Sequence, residues 1–211
     1  MQRISFLLLC LLCVGCRSTY YSVWETLGKH KRDLLRDNVE KVRDDQKAAA
    51  EQFKDALTRL KELTGFQGGD LEKVYNRLND DYKRSDSKAT AVHNRIRDVE
   101  RVAGDLFKEW EQESGTIQNP NLRASSRSKL AETKGKYESL HQAMLRAERS
   151  MQPVLTQFRD QVIYLKHNLN AQAIGALKGE VTNIESDVSA LLKEMNRAIA
   201  EADAFIKTLP P

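Results

Sequence analysis

The chain has 211 residues, 30% of them charged, and its 34 basic and 30 acidic side chains leave a formal net charge of +4. A balance so weak and so evenly mixed excludes the basic stripe of a nucleic-acid binder and the acidic tail of a solvating segment. Aromatics at 7% and only four prolines point to long exposed helices around one core.

Cys10, Cys13 and Cys16 are the three cysteines, and none follows them. Met1-Gln2-Arg3 gives a basic start, and Ile4 to Gly15 form an apolar run ending in a small residue, the layout of a secretory signal peptide. Those twelve residues are too short to cross a hydrocarbon core, which needs about 20. Cys13-Val14-Gly15-Cys16 resembles a bacterial lipobox, with Cys13 where leucine is usual. Cys13 is a poor acceptor, because the bulky Leu12 precedes it. The prediction is a signal peptide over 1–15 and a lipidated Cys16 that tethers residues 16–211 to a membrane. Acyl chains contribute about 0.8 kcal/mol per buried methylene, so three exceed the two signals that stable anchoring requires. Arg17 follows the cysteine in place of Asp, which by resemblance to bacterial sorting rules favours the periplasmic face of the outer membrane. With Cys16 acylated, no thiol remains for disulfides, thiol catalysis or metal binding.

Four amphipathic stretches follow. Val39, Val42, Gln46, Ala49, Phe53, Ala56, Leu60 and Leu63 alternate steps of three and four. The second stretch runs Leu71, Tyr75, Leu78, Tyr82, Ser85, Ala89, Val92, Ile96, Val99, Ala103, Leu106 and Trp110. A third, looser one runs from Thr133 through Tyr137, Leu140, Met144, Ala147, Met151, Val154 and Phe158 to Leu165 and Leu169. The last is Ile174, Leu177, Val181, Ile184, Val188, Leu191, Met195, Ala198, Ala202 and Phe205. A sustained period of 3.5 marks a left-handed coiled-coil seam.

Breaks at Gly65–Gly69, Ser114–Asn121 and Asn168–Asn170 predict helices over 20–63, 70–113, 121–168 and 171–206. Asp70 can cap the second, Pro120 suits a first turn, and the asparagines tolerate a left-handed turn. Pro153 should kink or split the third helix. Short turns between long helices predict an all-α, elongated, antiparallel up-down-up-down four-helix bundle with coiled-coil-like packing. If Leu63 faces Leu71, facing residue numbers in the first hairpin sum to about 134. Val42 then meets Val92, Ala49 meets Ser85, and Trp24 meets Trp110.

The motif search yields no catalytic constellation, no metal site and no cofactor. Glu138-Ser-Leu-His141 is a single Glu-x-x-His where a di-metal carboxylate bundle needs two. Ser126-Arg127-Ser128-Lys129 lacks the companion motifs of acyl-serine enzymes. No phosphate-binding Gly-rich loop occurs. The doublets Asp44-Asp45 and Asp80-Asp81 read as solvated faces. Lys29-His30-Lys31-Arg32, with Arg17 and Arg36, makes the membrane-near end locally basic. Ala171, Gly175, Gly179, Thr182 and Ser186 form a small-residue stripe outside the last seam, where each glycine costs about 1 kcal/mol against alanine. Either a partner helix approaches closely along it, or this helix is built to be pliable.

Several runs carry a family resemblance: Tyr20-Tyr21 with Trp24-Glu25 and Leu27-Gly28; Gly68-Gly69-Asp70-Leu71-Glu72; Leu106-Phe107-Lys108-Glu109-Trp110; Leu165-Lys166-His167-Asn168-Leu169-Asn170-Ala171; and Glu201-Ala202-Asp203-Ala204-Phe205-Ile206. They resemble a bacterial family known as domain of unknown function two-nine-five-nine, over essentially the whole chain after the signal. The resemblance implies a small envelope lipoprotein without an assigned activity, and it draws attention to His167. The expectation is a lipid-anchored, periplasm-facing scaffold with a protein partner or self-association and no enzymatic activity. Gly175, Gly179, His167, Trp24 and Trp110 are the candidate contacts. A holdase-like chaperone is the second reading, and a metal or hydrolytic site near His141 or His167 the third.

Overall fold

A computed structural model describes residues 30–64, 70–168 and 170–209 of the chain. Four helices account for nearly all of them: α1 Lys31–Thr64, α2 Leu71–Thr116, α3 Pro120–His167 and α4 Ala171–Ile206. No strand occurs among the described residues. The signal peptide, Cys16, Trp24 and the predicted first turns of helix one lie outside them.

Local chemistry sets the helix starts. Asp70 accepts from the backbone N–H groups of Glu72 and Lys73, satisfying donors that a first turn leaves orphaned. Asn119 does the same for Asn121 and Leu122, with Pro120 as first helical residue. The third break departs from expectation. Asn168 has φ −134° and Asn170 φ −143°, so neither is left-handed. Instead Asn168 donates to the Tyr164 carbonyl, and Asn170 caps α4 by accepting from Ala173 N–H. One helix also continues through Pro153, which faces solvent, where its ring displaces no core side chain.

Each helix packs on its sequence neighbours, and α1 also packs on α4, closing a four-helix ring. Cross-helix ion pairs record the antiparallel register. Lys31–Glu109, Arg95–Asp45 and Arg59–Asp81 join α1 to α2, and each pair of residue numbers sums to 140. This exceeds the expected backbone level of about 134. Side chains lean toward their own helix N-terminus by about one position each, which accounts for part of that difference. Arg43–Asp203 and Lys61–Glu185 tie α1 to α4, both summing to 246.

The core follows the seams. In α1, Val39, Val42, Gln46, Ala49, Phe53, Ala56 and Leu60 are all buried, as are nine of the ten expected positions of α4, with Val181 half-buried. Phe53 of α1 and Phe158 of α3 stack across the centre at 6.2 Å. Phe107, Tyr137 and Phe205 make edge contacts linking α2, α3 and α4. Additional buried positions such as Leu35, Val102, Ala143 and Leu155 widen the narrow seam to the broader stripe of a globular bundle. One reading is corrected here. Asp81 is 1% exposed, and two arginines, Arg59 and Arg84, hold its carboxylate. The core stripe of α2 rotates at this level, so Asp81 faces inward while Tyr82 is half-buried.

Candidate functional site

The bundle is unequal at its two ends. Where α1 begins and α4 finishes, the α2–α3 hairpin continues, and between Leu130 and Leu140 no side chain of α3 is fully buried, Tyr137 being half-buried. The result is a half-open mouth with a cavity of about 780 Å³, within the range of about 300–1,000 Å³ typical of ligand pockets. From α2 come Leu106, Glu109, Trp110 and Glu113, a single face by their spacing. Lys129 and Thr133, one turn apart on α3, form the opposite wall. Lys31 and Arg32 contribute the start of α1, His30 the residue before it, and Thr208 and Leu209 the turn after α4.

Several contacts fix this wall. Trp110 Nε1 donates to Ser126 Oγ at 3.0 Å, and Ser126 pairs with the buried Ser114 hydroxyl at 2.6 Å. The indole's polar edge is therefore satisfied within the protein, as half-buried tryptophan requires. Lys31 pairs with Glu109, and Arg36 donates to the Leu209 carbonyl, holding the turn after α4 against α1. Lys129 binds Glu132. Hydrogen bonds from Lys136 and then Lys129 pull the Glu132 carboxyl down to about 2. Arg32 is different. Its Nε is buried without a hydrogen-bond partner, and Asp33, which pairs with it, lies at 3.8 Å.

The other candidates do not converge on this cavity. Gly175 and Gly179 face solvent on α4, and a Cβ added to either meets nothing within 4 Å. His167 is the exposed last residue of α3, near the opposite end. His141 meets Glu100 at 2.7 Å and stacks on Tyr137, a boundary position as its place beside Leu140 suggested. Burial, then the nearby Glu100 and Glu138, raises the Tyr137 phenol well above its ordinary range. His93 meets Glu148 in the same α2–α3 groove, beside a smaller cleft of about 290 Å³. Among the described residues, no three His, Cys, Asp or Glu side chains are grouped as metal ligands would be. Of the sequence candidates that are described, Trp110 lines the mouth, and so do His30, Lys31 and Arg32 of the basic cluster. The remainder of its wall escaped sequence reading, because it is assembled from separate helices.

Fold and mouth together define an all-α four-helix bundle with a mixed-charge cavity at one end. The chain belongs to the family described as Protein of unknown function (DUF2959), whose model matches residues 20–209. No curated protein matches it.

Proposed function

We propose that the protein is a lipid-anchored, periplasm-facing scaffold of the bacterial envelope that binds or spaces other envelope components. The observation that carries this reading is that the start of α1 and the residues just after α4 reach the same mouth. His30 and Leu209 line one cavity, so a tether at Cys16 would hold that end and project the other. At 1.5 Å per residue, α1 alone carries the far turn about 50 Å away. The lipobox-like Cys13–Cys16 supplies the motive for the tether. The partner surface in this reading is the outward stripe of α4 around Gly175 and Gly179.

Two measurements test it. Metabolic labelling with an alkynyl fatty acid should mark the wild-type chain and not Cys16→Ser; equal labelling of both removes the anchor. Replacing Gly175 and Gly179 together by leucine should abolish a discrete crosslinked partner in intact cells. Melting temperature should hold or rise, since the positions are open and leucine is the better helix former. A holdase-like chaperone is the second reading, favoured by one observation. The buried amide of Gln46 and hydroxyl of Ser85 have no hydrogen-bond partner, a weakness that would help a bundle open to clients. Crosslinking would then give a smear of clients in place of discrete partners.

A further inference from the structure

We infer that the mouth cavity is a binding site for a single amphiphile with a zwitterionic head, one phosphate-like anion and one ammonium. Its lining combines three features. An apolar wall comes from Leu106, Trp110 and Leu209, enough to seat part of an acyl chain. A guanidinium, Arg32, carries a buried Nε–H that no described residue accepts. An anionic oxygen would supply the acceptor that this donor lacks, in a charge-assisted hydrogen bond. Glu113, on a different helix, lines the same space exposed to solvent. Glu109 and Lys129 are already engaged by Lys31 and Glu132. Arg32, whose ion pair with Asp33 at 3.8 Å leaves its Nε–H without a hydrogen-bond acceptor, and the exposed Glu113 are the charges of opposite sign offered to a ligand.

Complementarity therefore asks for both signs on one molecule. A purely anionic head would meet Glu113, and a purely cationic one would meet Arg32. The Trp110 indole, tied by its Nε1 to Ser126, is held in place before any ligand arrives, which lowers the ordering cost of binding. This site needs no anchor at Cys16. Labelling tests the anchor and titration tests the site, so the two fail separately.

The test uses the full chain held in an amphipathic polymer, so that no free detergent competes. Trp24→Phe leaves Trp110 as the single tryptophan. Its fluorescence is followed while lysophosphatidylethanolamine with a brominated chain is added, against lysophosphatidylglycerol with the same chain. The expected result is saturable quenching with preference for the ethanolamine lipid. Arg32→Ala should weaken both lipids by about tenfold or more, the loss of a charge-assisted contact. Glu113→Gln should remove the preference and leave the glycerol lipid unaffected or improved. Should Arg32→Ala lose its helical circular-dichroism signal, the Glu113 arm decides alone. Phosphoethanolamine without a chain should fail to displace the lipid. Equal displacement by it would make the ligand a soluble zwitterion and overturn the amphiphile. Unsaturable quenching, or quenching identical in all variants, would overturn the site itself.

Discussion

The two hairpins of this bundle are built to different rules. All of the buried polar residues among those described, Gln46, Asp81, Ser85 and Ser114, belong to α1 and α2. The buried positions of α3 and α4 are apolar throughout. Ser114 and Asp81 are partnered, the first by Ser126 and the second by two arginines. Gln46 and Ser85 are not. An apolar layer supplies stability without choosing among similar packings. A polar layer gives up some of that stability, and in coiled coils a single buried amide is known to select register. The difference suggests a division of labour, with one hairpin contributing cohesion and the other alignment.

Three substitutions probe this contrast. Phe158→Ala removes a ring packed across the centre and should cost about 3–5 kcal/mol in urea unfolding. A loss below that range would mean that the α3–α4 side is not the cohesive one. Gln46→Leu should act in the opposite sense, raising stability by about 1–3 kcal/mol as an unsatisfied buried amide disappears. A fall in the urea midpoint would show that Gln46 has a partner, such as an ordered water, and the polar layer would then be stabilising after all. The smallest effect concerns pH. Tyr137 is held neutral by burial and by Glu100 and Glu138, so its folded pKa lies above the ordinary value of about 10. A raised folded value means its contribution is complete below about pH 10 and is lost as pH climbs toward the folded value. Melting temperatures from pH 8 to 11 should therefore fall less steeply for Tyr137→Phe than for the wild type.

Much of this was legible in the sequence. A period of 3.5 depends only on neighbours along one helix, so the seams of α1 and α4 could be read almost residue for residue. Asp81 could not. Asp80 and Asp81 look alike in sequence, and of the two arginines that hold the buried one, Arg84 lies one turn on in the same helix while Arg59 lies across the turn on another. Pro153 was expected to kink or split α3, and the helix is not split there but runs on from Pro120 to His167. Asn168 and Asn170 were recognised as a break but given the wrong conformation, since asparagine caps helices as readily as it turns left-handed. The mouth depends on where four helix ends fall relative to one another, which no local pattern records.

Two histidine–glutamate contacts in the α2–α3 groove make the pairing self-checking. His93 meets Glu148 and His141 meets Glu100, and both pairs of residue numbers sum to 241. Helices with a seven-residue repeat can slide by seven and still match their apolar seams. Here such a slide is penalised whichever way it goes. In one direction Glu100 would come opposite Glu148, carboxylate against carboxylate. In the other His93 would come opposite His141, and neither ring would keep its acid. The misaligned hairpin thus has like facing like in both directions, and the native alignment is the one in which each histidine finds a glutamate.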